Sequence, residues 1–298
     1  MAKDSQISQR LKNLKERLRQ ENPVLSQVVD SFKNLDHISR RLGFFHSEES
    51  HATRTSWWPL ISILGIYSSG KSTFINHYLQ YPLQATGNQA VDDKFTVISY
   101  TDDDQVRVLP GLALDADPRF PFYKISQAIE EVAEGEGQRI DSYLQLKTCP
   151  NDRLRGKIII DSPGFDADAQ RTSTLRITDH IIDLSDLVLV FFDARHPESG
   201  SMRDTLEHLV NRTKNRRHSN KFLYILNQID NTALEDNTEE VFASWQRALA
   251  QYGLTAGCCH AIYVSDVAVP IKDESVRIRF ENKRDANIQQ IFNRIERV

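Results

Sequence analysis

The hydrophobic positions of this chain change period once, near Trp57. Before that point they recur every three or four residues. Ile7, Leu11, Leu14 and Leu18 fall on one face of a helix. After Pro23 a second helical stripe follows, made of Leu25, Val28, Val29, Phe32, Leu35, Ile38 and Leu42, with Gly43 as its stop. Ser47 to Ser56 is polar and unpatterned and reads as a linker. From Trp57 the apolar residues come in short runs instead: WWPLISILG (57–65), KIIID (157–161), DLVLVFFD (186–193), KFLYILN (221–227) and HAIYVS (260–265). Runs of this kind predict strands buried on both faces of a parallel sheet. Helical patterns at 72–79, 173–184, 201–210 and 239–251 lie between most of them. A charged segment from Glu274 carries Ile288, Ile291, Phe292 and Ile295 on one stripe. The alternation predicts an α/β fold, a mostly parallel central sheet with helices on both faces. The expected organisation is a helical segment and linker over 1–56, the α/β domain over 57–270, and a C-terminal helix over 271–298.

Composition narrows the partners. With 298 residues, 40% hydrophobic and 26% charged, the chain has enough apolar mass for a large packed domain, which excludes disordered and low-complexity classes. A net charge of −4 gives no electrostatic ground for nucleic-acid binding. No apolar run reaches the roughly 18 residues needed to span a bilayer, and MAKDSQISQR has no apolar signal core, so a cytoplasmic location is expected. Cys149, Cys258 and Cys259 are too few for a disulfide framework and lack metal-ligand spacing, and they are read as reduced thiols.

Three motifs sit at strand ends, in order. GIYSSGKST, Gly65 to Thr73, fits G-x-x-x-x-G-K-[ST] and falls between a predicted strand and a predicted helix. Gly65 and Gly70 let the backbone curl, so that the N–H groups of Ser68, Ser69, Gly70 and their neighbours through Thr73 can face a phosphate. Lys71 supplies a cation to the β- and γ-phosphates, the Ser72 hydroxyl is a Mg²⁺ ligand, and the following helix adds its N-terminal dipole. In IIIDSPGFD (158–166), Asp161 can hold Mg²⁺, usually through water, and the Gly164 N–H can meet the γ-phosphate. In NQID (227–230), the Asp230 carboxylate can accept both the N1–H and the exocyclic amine of guanine, while Asn227 braces the loop. Gln228 stands where guanine-binding proteins usually carry a lysine.

In detail the chain resembles the dynamin superfamily, above all its EH-domain-containing branch and bacterial dynamin-like proteins. The resemblance rests on YSSGKSTFI (67–75), DKFTVIS (93–99), LPGLALDADPRFPF (109–122), the D-x-P-G segment and LVLVFFDARHPESGSMRDTLEHL (187–209). YVS (263–265) falls where the family's last nucleotide-contacting strand ends, which adds Ser265 to the candidate site. The similarity implies a GTPase-type domain that binds GTP with Mg²⁺ and pairs with a second copy across the nucleotide face. Ser68 and the backbone beside Tyr67 would then position the attacking water, with Lys71 on the phosphates. EH-domain-containing relatives use adenine nucleotides, so ATP is the alternative to GTP.

One departure bears on catalysis. Val91 stands where relatives use a threonine to bind Mg²⁺, and its side chain has no oxygen, so Thr86 or Thr96 takes that role or hydrolysis is impaired. The alternative class is therefore a nucleotide-binding scaffold or membrane adaptor with little hydrolysis. A phosphate-loop kinase would leave NQID unexplained. Lys3, Arg10, Lys12, Lys15, Arg17 and Arg19 of the first helix could meet anionic lipid as a peripheral contact, or form an ordinary solvated face.

Overall fold

The computed structural model describes residues 2–47, 49–87, 94–116, 119–120, 130, 135, 140–164, 171–196, 219–251, 253–254 and 258–298. In chain order the helices are α1 (Ala2–Glu21), α2 (Pro23–Arg41), α3 (His51–Arg54), α4 (Lys71–Leu79), α5 (Ala113–Ala116), α6 (Ile140–Tyr143), α7 (Arg171–Leu184), α8 (Thr238–Gln251) and α9 (Glu274–Glu296). The strands are β1 (Leu60–Gly65), β2 (Phe95–Tyr100), β3 (Arg107–Pro110), β4 (Leu144–Cys149), β5 (Ile158–Asp161), β6 (Leu187–Asp193), β7 (Phe222–Asn227) and β8 (Cys258–Ala261). They hydrogen-bond in the order β3-β4-β2-β5-β1-β6-β7-β8, so the expected α/β architecture holds. Two compact units are made from these elements, residues 1–60 with 98–158, and 61–97 with 159–298.

In the first unit, α1 buries Ile7, Leu11, Leu14 and Leu18 as the periodicity requires. Asn22 caps α2 by accepting the Leu25 N–H at 3.4 Å, and Pro23 occupies its first turn, where no N–H is missed. At the other end Gly43 adopts φ 76°, and the Phe44 N–H returns to the Ser39 carbonyl at 2.9 Å. The apolar stripe of α2 divides. Val29 is buried and Leu25 and Phe32 are half-buried, whereas Val28, Leu35, Ile38 and Leu42 are exposed. The segment read as a linker is packed instead. Asp36 of α2 is buried and accepts the Ser50 hydroxyl at 2.5 Å and the His51 N–H at 2.7 Å. A carboxylate out of water needs such donors, and supplying them pins the chain into α3, where Trp57 Nε1 also reaches the Ala52 carbonyl at 2.7 Å. The antiparallel pair β3–β4, with Arg107 opposite Thr148, lies outside the sequence expectation.

In the second unit, β1, β6, β7 and β8 are parallel neighbours, with Gly65 opposite Phe191, Asp193 opposite Asn227 and Leu226 opposite Ala261. β1, β6 and β7 are buried along their whole length, which is why they read as uninterrupted apolar runs. On one side Trp245 of α8 is fully buried, with ring centroids 5.3 Å from Phe192 and 5.4 Å from Phe242. α9 buries Phe280, Ile288, Ile291 and Ile295. Its Phe292 ring lies 5.1 Å from Tyr78 and 6.0 Å from Phe74, and Glu296 accepts the Tyr78 hydroxyl at 2.5 Å, so α9 packs along α4. β8 is displaced from its expected span: it begins at Cys258, and Ile262 to Ser265 follow its last residue. The helix expected over 201–210 lies outside the described residues.

Candidate functional site

The loop between β1 and α4 has a shape fixed by crowding. A Cβ on Gly65 would lie 2.6 Å from the Phe191 carbonyl oxygen, so no other residue fits at the strand end. Gly70 caps α4 in the left-handed region, φ 85°, and a Cβ there would lie 2.2 Å from Asn227 Nδ2. That amide donates to the Ser69 carbonyl at 2.8 Å, and Gln228 Nε2 donates to the Ser68 carbonyl at 2.6 Å. The turn after β7 is thereby fastened to the loop after β1 through two adjacent carbonyls. Asn227 braces the loop as expected. Gln228 faces the loop backbone, which a lysine stem laid over a base would not do.

Lys71 is buried, and its Nζ donates to the Gly65 and Ile66 carbonyls at 3.0 and 3.1 Å. Ser72 Oγ donates to Asp161 Oδ2 at 3.2 Å, and Asp161, at the end of β5, is only 4% exposed. Gln84 is buried too, and its Nε2 donates to the same Asp161 oxygen at 2.7 Å. Three residues past Asp161, Gly164 lies against the loop, where a Cβ would meet Tyr67 Cα at 2.9 Å. A side chain at 164 would push on the loop directly.

A cavity of about 570 Å³ opens beside these groups. Of the residues singled out by sequence, Tyr67, Ser68, Gly70, Lys71, Ser72, Thr73, Asp161, Gly164, Asn227 and Asp230 line it. Gly65, Ser69 and Ser265 do not. The Ser69 hydroxyl turns inward to the Ile66 carbonyl at 2.7 Å, and Ser265 is exposed at the start of a short 3₁₀ turn. At that end Val264, Val267, Ala268 and Val269 form the wall instead. Of the two threonines considered in place of Val91, Thr86 lines the cavity, while Thr96 is buried in β2 and does not. Val91 lies outside the described residues.

Asp230 is buried and accepts the Val269 N–H at 2.7 Å. Burial pushes its pKa up, opposed by that N–H and by the Arg195 guanidinium, with Asp193 adding to the rise. Arg195 also lines the cavity and was missed in the sequence. Its fork is held by Asp193, Nε at 3.0 Å from both carboxylate oxygens and Nη2 at 2.7 Å from Oδ2. Chemically, one end of the cavity thus offers a cation, a helix N-terminus and glycine-permitted backbone, the set that holds a polyphosphate. The other offers a carboxylate acceptor between apolar walls. The hydroxyl of Ser72 and the carboxylate of Asp161 are hard oxygen donors within one hydrogen bond of each other, which fits a Mg²⁺ ion.

Residues 61–229, more than half of the chain, match the family model described as "Dynamin family". The chain belongs to the dynamin family. Within it, this chain is 27% identical over 193 residues to EH domain-containing protein 1 of Homo sapiens, covering 62% of this chain and 33% of that protein. It is 26% identical over 234 residues to EH domain-containing protein 3 of Homo sapiens, covering 72% and 40%. The chain therefore spans between a third and two fifths of the length of these relatives. Its fold is similar to a chain of an oligomerised bacterial dynamin pair described as providing a mechanism for long-range sensing and tethering of membranes. That likeness has a TM-score of 0.54 at 15% identity and covers 99% of this chain and 43% of the other. A dynamin-family domain is a GTPase-type nucleotide-binding domain. No helix among the described residues is long and apolar enough to cross a membrane.

Proposed function

We propose that this chain binds GTP with Mg²⁺ and hydrolyses it to GDP and phosphate, through a dynamin-type G domain over 57–270 flanked by helical segments over 1–56 and 271–298. The observation that carries the reading is the fastening of Asn227 and Gln228 to the Ser69 and Ser68 carbonyls, which brings the base-end carboxylate and the phosphate loop into one cavity. In this reading Lys71 and the N–H groups of Ser68 to Thr73 hold the phosphates. Ser72 and Asp161 hold Mg²⁺, Gly164 reports the γ-phosphate, and Asp230 accepts from guanine. Bound Mg²⁺ would neutralise charge developing on the phosphates. Ser68 and the Tyr67 backbone would orient the water, and pairing with a second copy across the nucleotide face would complete the site. A bacterial dynamin pair of similar fold is described as tethering membranes. Peripheral contact of this chain with anionic lipid, through exposed Lys12, Arg17 and Arg19 of α1, belongs to the same reading.

The test is turnover of GTP and of ATP with Mg²⁺ across a protein-concentration series. A GTP rate per molecule that climbs with concentration supports a pairing-activated GTPase, and faster ATP turnover would move the reading to an adenine-preferring enzyme. The second reading, a nucleotide-dependent scaffold with little hydrolysis, is favoured by Val91, which has no oxygen to offer a cation or water. Flat turnover at the uncatalysed rate with intact binding would select it. Lys71→Ala binding nucleotide as tightly as wild type would sink both.

A further inference from the structure

We infer that Gln84 is a positioning residue: its side-chain amide fixes the Asp161 carboxylate against Ser72, and thereby sets how tightly the nucleotide complex holds its divalent cation. The inference rests on the proposed Mg²⁺–nucleotide site. Its ground is a run of hydrogen bonds from Asn76 through Gln84 and Asp161 to Ser72, whose two ends are joined by the backbone of α4. Asn76 lies four residues after Ser72 on α4, hence on the same helix face. Asn76 grips the main chain of Gln84 twice, accepting the Gln84 N–H at Oδ1, 2.8 Å, and donating from Nδ2 to the Gln84 carbonyl, 2.8 Å. Gln84, 3% exposed, then donates to Asp161 Oδ2 at 2.7 Å, and Ser72 Oγ reaches that same oxygen at 3.2 Å.

The choice of an amide has a physical reason. A lysine or arginine could also hold a buried carboxylate, but it would cancel the negative charge that attracts a cation and repel the cation itself. A neutral N–H orients Asp161 and leaves its charge intact. Without that donor the carboxylate regains freedom about its terminal torsion, and the cation must restore the orientation on binding. Partners that hold a ligating group from behind are typically worth about 10- to 100-fold in metal affinity.

The experiment measures Mn²⁺ affinity of the GDP complex by electron paramagnetic resonance, and fluorescent GDP affinity with Mg²⁺ and in EDTA. The proteins compared are wild type, Gln84→Met and Asn76→Leu. Gln84→Met keeps the length and removes the donor. Its cation dissociation constant is expected to rise about 10-fold or more, with GDP affinity in EDTA within twofold of wild type. Asn76→Leu leaves Gln84 in place and removes both of its pins, so it is expected to weaken the cation in the same direction, and it carries the test if Gln84→Met does not fold. Cation affinity unchanged in either folded variant overturns the inference. A loss of GDP affinity in EDTA equal to that with Mg²⁺ also overturns it, because a merely structural role produces that pattern. Wild-type protein whose GDP affinity ignores Mg²⁺ would instead overturn the Mg²⁺ reading beneath, and this inference with it.

Discussion

Replacing Gly70 by alanine tests the joint between the two motifs most directly. The new methyl would stand 2.2 Å from Asn227 Nδ2, so the amide has to leave its hydrogen bond with the Ser69 carbonyl. Two costs combine. An L-residue held in the left-handed region at φ 85° pays about 1–2 kcal/mol. Leaving the buried amide and carbonyl unpaired costs about 1–3 kcal/mol. Gly70→Ala is therefore expected to destabilise by roughly 2–5 kcal/mol. Asn227→Ala alone loses the hydrogen bond without the strain, about 1–3 kcal/mol. In the double variant the methyl meets no amide and the bond is lost once, so the cost should match that of Gly70→Ala alone. The cycle then shows a coupling of about 1–3 kcal/mol. Equilibrium urea unfolding, monitored by tryptophan fluorescence, reads all four proteins. Additivity within about 0.5 kcal/mol would refute the reasoning, since it would mean that the methyl and the amide do not compete for one place.

Three further outcomes follow from the same geometry. Asp230→Asn should raise the thermal midpoint at pH 7 while weakening GTP binding. Burial lifts the Asp230 pKa, so its ionised form costs stability at neutral pH, and the gain should vanish as pH falls below the unfolded carboxylate value of 3.8. His260 is buried, with Nδ1 3.1 Å from Asn287 Oδ1, and burial holds its pKa below 6.5. Its contribution is complete above pH 6.5 and lost as pH falls through the lower folded value, so thermal midpoints should drop between pH 7.5 and 5.5, and less so in His260→Gln. Trp245→Ala removes a fully buried ring packed on Phe192 and Phe242, and should cost about 3–5 kcal/mol in urea unfolding.

Legibility in the sequence followed the physics of burial. β1, β5, β6 and β7 are buried on both faces and show as continuous apolar runs, and the three motifs lie where those strands end. β3 escaped notice because it is largely exposed, and β4 because half-buried Gln145 and Lys147 interrupt its apolar positions. The stripe on α2 announces a helix, but spacing alone does not say which of its residues meet α1. Within the site, Lys71, Ser72 and Asp161 were found through motifs whose spacing is dictated by phosphate chemistry. Gln84 was not, because nothing local distinguishes a glutamine that bonds a residue 77 positions away. Arg195 left a trace, the Asp-Ala-Arg sequence at a strand end, without a spacing rule to interpret it.

The bonds from Asn227 and Gln228 to neighbouring carbonyls make the cavity behave as a calliper. The jaw at Asp230 and the jaw at Lys71 are set apart by a few covalently linked residues and two hydrogen bonds, not by the rotamers of independent side chains. A nucleotide held as proposed would thus be gauged by the distance between its heterocycle and its terminal phosphates before any single contact is optimal. One residue inserted between Asn227 and Asp230 would reset that distance outside the sheet strands, and in the proposed nucleotide complex it would change which phosphate Lys71 meets.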